Sequence, residues 1–428
     1  MTTAPSRTAQ GAPPGAAPPP VFTGIGVAAP NGLGTEEWWA ATLRGEHGLR
    51  PVTEYDASGH PGGLVGRVPD FDAARHLPGR LLPQTDRVTR LALVAADEAL
   101  KDAAVDPARL PEYGASAVTS NATGGFEFTH REIRKLWTEG PARVSVYESF
   151  AWFYAVNTGQ ISIRHGMRGP GAVVVADQAG GLDALGQARR VLRKGGVLAV
   201  SGGVESALDP WGLAAHASSG TLSRSGDPAT AYLPFDRRAL GTVVGEGGAL
   251  LTLETPRHAE ERDAPRIYGE LAGYAATFDP PAGSGRPPGL ERVARLALAD
   301  AGLAPGDVDV VFADAAGLPA ADAAEAAALR ALFGPGGVPV SVPKTQTGRL
   351  ASGGPALDVA AALLALRDGL VPPAVHLDEV DPAYGLDLVR DTPRALPLRT
   401  ALVLARGHGG FNAAVVVRAA RRRPRRTA

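Results

Sequence analysis

The chain has no cysteine among its 428 residues. Disulfides, thiolate metal sites and any cysteine nucleophile are therefore excluded. Long hydrophobic runs are missing too: Val173–Ala176 and Ala413–Val417 fall far short of the roughly 20 residues a membrane helix needs. No sign of charge dominates, with 43 Lys+Arg against 44 Asp+Glu and a formal net charge of -1. Such a balance gives no overall field to attract nucleic acid or an anionic membrane. Lysine stands only at positions 101, 135, 194 and 344. No pair of histidines has metal-ligand spacing, and the scattered glycine patterns are too weak for a nucleotide site, so no metal and no cofactor is expected.

What is present suffices for a large core, since 44% of the residues are hydrophobic. Residues 1–20, rich in Pro, Ala and Thr, read as a flexible leader without the apolar stretch of a signal peptide, which implies a cytoplasmic protein. Residues 419–428 read as a basic tail, either a solvated end or an RNA or lipid contact. Between them, short β-rich runs alternate with amphipathic helices, the pattern of an α/β fold with mainly buried strands. Strands are expected at Val21–Val27, Val197–Ser201, Val308–Phe312 and Val338–Val342, and helices at Thr35–Arg44, Asp86–Ala104, Gly289–Ala301, Ala320–Leu332 and Ala356–Arg367. Leu402–Ala405 and Ala413–Arg418 form a closing strand pair.

The stretch 171–195 is the most informative. GAVVVA reads as a buried strand, Asp177-Gln178 as a turn, and the following residues as a helix with Leu182, Leu185 and Leu192 on one face. A side chain on such a strand-to-helix elbow is held out beside a helix N-terminus. Gln178 occupies that place. Each half of the chain contains a strand, an elbow-like turn and a long helix, which hints at duplication, with halves at 21–255 and 256–418.

Several segments together resemble the ketosynthases of fatty acid and polyketide synthesis: VFTGIGVAAPNGLG near the N-terminus, the stretch with Pro234-Phe235-Asp236 and Gly245-Glu246-Gly247, and ARGHGGFNAAVVV near the C-terminus. The resemblance covers roughly Val21–Arg418 and implies a thiolase-like, duplicated αβαβα layered fold. The departures from it are informative. A working ketosynthase carries a Cys on the elbow, two His and a Lys. Here Gln178 stands at the Cys position, Asp314 and Arg349 stand at the two His positions in DAAGLPAAD and KTQTGR, and Lys344 is retained. A primary amide is a very poor nucleophile, and an always-charged Arg exchanges no protons near neutral pH.

That pattern resembles the ketosynthase beta subunit, or chain length factor, of type II polyketide synthases, as do GGFEFTHREIRKLW and ESFAWFYAVNTGQISIRHGMRGP. The resemblance implies a non-catalytic subunit that pairs as a heterodimer with a Cys-bearing ketosynthase alpha subunit. It also implies work on chains carried by an acyl carrier protein, and a role in setting poly-β-ketone length. Phe126, Thr129 and Ile133 fall on one helical face by their spacing, which alone is more often the mark of core packing. The resemblance makes that face, with Trp211 nearby, the end of the polyketide tunnel. Ile133, smaller than an aromatic, then implies a chain longer than an octaketide. Gln178 is either a buried structural amide or a binder of malonyl groups in a decarboxylase that primes the synthase. A Ser- or Thr-dependent acyltransferase is disfavoured because Asp177 and Ala179 flank Gln178. Glu205, Glu246 and Lys344 read as structural ion pairs, His408 as packed in its turn, and His130 as facing solvent or an interface.

Overall fold

The computed structural model describes residues 17–61, 63–281 and 283–420. Most of the expected leader and basic tail lies outside them. Eleven strands follow one path through a single sheet. In chain order they are β1 (Val21–Ala29), β2 (Ala115–Ser120), β3 (Ala172–Val174), β4 (Leu198–Glu205), β5 (Gly247–Glu254), β6 (Gly269–Phe278), β7 (Val310–Phe312), β8 (Pro339–Ser341), β9 (Asp387–Leu388), β10 (Thr400–Arg406) and β11 (Phe411–Ala419). Their spatial order is β9-β8-β7-β10-β11-β6-β1-β5-β4-β2-β3.

The directions repeat. From β1 outward, β5 and β4 join antiparallel, then β2 and β3 parallel. From β6 outward, β11 and β10 join antiparallel, then β7 and β8 parallel. The expected duplication is thus written into the sheet.

The main helices are α1 (Thr35–Leu43), α2 (Arg87–Asp102), α3 (Phe126–Glu139), α4 (Glu148–Ala151), α5 (Val156–Arg164), α6 (Gly180–Arg193), α7 (Pro210–Ser218), α8 (Leu290–Asp300), α9 (Pro319–Phe333) and α10 (Gly353–Asp368). Helix α10 is apolar but for Asp358 over Gly353–Leu366, all of which are buried, as a helix without a polar face must be. It packs on β4 and β5 of one half, on β10 and β11 of the other, and on α6. The pair α6 and α10 is therefore the middle layer, between two sheet halves that α2 and α8 cover from outside.

Glycine makes those outer contacts close. A Cβ on Gly26 in β1 would lie 1.9 Å from the Ala95 carbonyl oxygen of α2, and one on Gly273 in β6 would lie 2.2 Å from the Ala297 carbonyl oxygen of α8. Both halves use the same device.

One expectation is corrected. The run GAVVVA does not form a buried strand: β3 is three residues long and half-buried, and Val175 is 47% exposed. Its position explains this, because among the described residues β3 ends the sheet and pairs only with β2, leaving one side of its backbone unpaired there.

Candidate functional site

At the elbow Asp177 adopts φ 48, the left-handed conformation a tight strand-to-helix turn demands. Its carboxylate accepts the backbone N–H of His408 at 2.7 Å. The His408 ring is exposed rather than packed; only its backbone holds the turn.

Gln178 is buried, and with its amide oriented to match its neighbours both ends are engaged. The nitrogen donates to the Ala351 carbonyl at 3.0 Å, and the oxygen accepts from the Arg349 guanidinium. Arg349 in turn donates to the Asp314 carboxylate at 3.2 and 3.4 Å, and to the Asp314 and Ala315 carbonyls at 2.8 and 3.1 Å. Arg406 completes the cluster, with its backbone N–H 2.9 Å and its Nε 3.3 Å from Asp314 and its Nη2 3.1 Å from Glu325. Burial disfavours the Asp314 anion, but Arg349, Arg406 and Lys344 outweigh it and hold the carboxyl below its ordinary value. Burial likewise opposes the Arg349 charge, and Asp314 more than compensates. Fixed charges therefore stand beside the elbow amide.

Lys344 pairs with Asp358 at 2.6 Å, and Glu246 pairs with Arg87 at 2.6 Å. Glu205 differs from expectation because its partners are neutral. Asn121, the Ala122 N–H and Ser352 each donate to it at 2.8 Å, and burial raises its pKa. Arg406 and Glu325 escaped sequence reasoning: each lies at an ordinary-looking position, and only folding brings them to Asp314.

A second feature lies on the segment between β2 and β3. Gly124-Gly125 let the chain enter α3 against α4: a Cβ on Gly124 would sit 2.3 Å from the Trp152 carbonyl oxygen, and the Gly125 N–H donates to that oxygen at 3.0 Å. Buried Asp86 accepts the Phe128 N–H at 2.7 Å and so holds the first turn of α3. Phe126 stacks on Trp211 of α7, with ring centroids 5.1 Å apart and planes at 16°. These two rings and Thr129 line a pocket of about 410 Å³, which Glu148, Trp152 and Tyr154 help to close. The sequence signalled Phe126, Thr129 and Trp211; the residues from the α4 region gave no periodic signal. Ile133 shares the helix but is 37% exposed and lies outside the pocket wall. His130 is partly exposed and contacts Asp209.

A buried amide on an elbow beside fixed charges, in a duplicated layered fold with a separate apolar pocket, is the setting in which comparison with known proteins decides the family. Residues 19–259 match the beta-ketoacyl synthase N-terminal domain and residues 268–378 the beta-ketoacyl synthase C-terminal domain. The chain is 63% identical to the actinorhodin polyketide beta-ketoacyl synthase 2 of Streptomyces coelicolor, over 93% of this chain and 98% of that one. It is 59% identical to the tetracenomycin polyketide synthase ketoacyl synthase beta subunit of Streptomyces glaucescens, over 94% and 98%. The chain belongs to the beta-ketoacyl synthase family, in its ketosynthase beta branch. Among solved structures, a type II polyketide synthase acyl-carrier protein in complex with its ketosynthase bound to the hexaketide matches this ketosynthase beta chain. The TM-score is 0.85 and the identity 25%, over 95% of this chain and 100% of that one. Among the described residues of this ketosynthase beta chain, no helix is long and apolar enough to cross a membrane.

Proposed function

We infer that this ketosynthase beta chain is the chain-length-setting, non-condensing half of a minimal type II polyketide synthase. It pairs with a Cys-bearing ketosynthase alpha subunit and acts in the cytoplasm on chains held by an acyl carrier protein. The observation that carries the reading is the pairing of a disabled elbow with a pocket walled by the Phe126–Trp211 stack. A gate needs no chemistry. Forcing one more two-carbon unit into a packed apolar wall costs about 1 to 3 kcal/mol, enough to favour release or cyclisation over another extension.

The partner face is supported by exposed apolar side chains. Ile133, Leu136, Trp152, Phe153 and Val175 all fall between β2 and the elbow, and Trp211 adds to them. Edge strand β3 offers unpaired backbone groups beside them. A large face with an apolar centre is what a lasting subunit interface requires. Phe126, Thr129 and Trp211 form the gate in this proposal. Ile133 stands one step along the same face, where a partner that extends the pocket would meet it.

The other reading, a malonyl-carrier decarboxylase acting through Gln178, has less support. The amide is committed to Arg349 and Ala351. Co-expression with a Cys-bearing ketosynthase subunit, followed by mass analysis of the complex and product profiling on malonyl-loaded carrier protein, tests the assignment. A heterodimer whose product length shifts with Phe126→Ala supports it. A homodimer that releases carbon dioxide from malonyl carrier protein, and loses that activity with Gln178→Ala, overturns it.

A further inference from the structure

The wall of the Phe126–Trp211 pocket holds two buried oxygens, Oε2 of Glu148 and Oγ1 of Thr129, for which the structure shows no well-formed hydrogen bond. They come from different elements, the first turn of α4 and the second turn of α3, yet the two side chains interact. A buried polar group without a partner is costly, and its persistence calls for a ligand that satisfies it. The surrounding wall is mainly aromatic, with Phe126, Trp152 and Trp211. Burial raises the Glu148 pKa, Glu132 adds to the effect, and Arg131 and Thr129 oppose it.

We propose that Glu148 and Thr129 form a polar anchor for one oxygen of the poly-β-ketone enclosed by the pocket, fixing the register of the chain before it cyclises. The proposal rests on the chain-length reading of the same pocket and adds a second property to it. A poly-β-ketone carries an oxygen on every second carbon and exchanges readily between keto and enol forms. A protonated Glu148 donates to a keto oxygen, an ionised one accepts from an enol hydroxyl, and the Thr129 hydroxyl does either. Bulk at Phe126 and Trp211 sets how many units fit. The anchor sets which oxygen sits at the wall, and hence which carbons lie opposite one another when the first ring closes. No bond forms or breaks at Glu148; it is a positioning residue.

The test uses the heterodimer reconstituted with a Cys-bearing ketosynthase subunit and malonyl-loaded carrier protein, with products sorted first by length and then by ring pattern. Glu148→Leu, close to Glu in volume, is expected to shift the ratio of ring patterns among products of one length by about two- to tenfold, the range of one lost hydrogen bond. Glu148→Gln keeps a donor and an acceptor and is expected to restore the parent ratio. An unchanged ratio in Glu148→Leu overturns the proposal, and so does an equal shift in Glu148→Gln, which would assign the effect to charge. Phe126→Ala separates the two readings. If it changes length while Glu148→Leu leaves ring pattern alone, only the anchor fails; if neither variant changes anything, the pocket reading fails with it.

Discussion

His130 Nδ1 lies 2.9 Å from Asp209 Oδ2. The same carboxylate caps α7, accepting the backbone N–H of Trp211 at 3.1 Å and of Gly212 at 3.2 Å. One carboxylate thus ties α3, which carries Phe126, to the first residues of α7, which carry Trp211. The stack at the pocket wall is held from behind.

His130→Ala is therefore expected to loosen the wall without removing any of it. The cost is about 1 kcal/mol of hydrogen bonding. In the reconstituted heterodimer it should broaden the distribution of product lengths while leaving the complex intact by size-exclusion mass analysis. A product profile identical to the parent's would show that the stack keeps its place without this contact.

Arg349 serves Gln178 and Asp314 together, so its loss should be felt as stability. Arg349→Leu leaves the buried Asp314 carboxylate with Arg406 as its close partner and Gln178 without its donor. A destabilisation of about 3 kcal/mol is expected from breaking such a buried pair, read as a lowered midpoint of denaturant unfolding with an unchanged slope.

Placing a thiol on the elbow should not produce condensation. Gln178→Cys places a nucleophile on the elbow but leaves Asp314, Arg349 and Arg406 as fixed charges around it, which exchange no protons near neutral pH. Mass spectrometry after incubation with acyl and malonyl carrier protein is expected to find no elongated product. Turnover would mean that the charge network is no obstacle.

Asp86 gives a pH dependence. Burial, with Glu127 adding to it, raises its carboxyl from 3.8 to about 7. The folded chain then keeps a proton that the unfolded chain releases. The contribution of Asp86 to stability is full below 3.8 and is lost as pH rises toward about 7. Asp86→Asn carries no such proton, so parent stability minus variant stability should fall between pH 4 and 7 and level off above. Denaturation midpoints of both proteins at pH 5 and 8 check it, and a difference independent of pH would contradict it.

Gly26→Ala should be severe, since its Cβ would press on the Ala95 carbonyl oxygen. Backbone on both sides leaves nothing flexible to yield, and a loss of about 3 kcal/mol or more is expected. Thermal unfolding measures it, and a variant as stable as the parent would show that α2 can lift from β1.

Much of the fold was open to local reading. Val21–Ala29, Arg87–Asp102 and Gly180–Arg193 carry period and capping signals that depend on a few neighbouring residues. The run around Val173 misled because composition reports apolarity and not whether a second strand lies alongside. Glu205 misled in a similar way, because its charge suggested an ion pair while its neutral partners lie far off in sequence.

The sequence by itself determined that this chain has no thiol to offer: without cysteine, no rearrangement of the backbone supplies one. It also determined the element order, because hydrophobic period acts over a few residues. The tertiary structure alone decided that Arg406 and Glu325 join Asp314, that Gln178 is consumed by Arg349, and that Glu148 meets Thr129 behind the Phe126–Trp211 stack. These contacts depend on side-chain geometry between segments remote in sequence, which close packing of the folded layers fixes and local pattern does not encode.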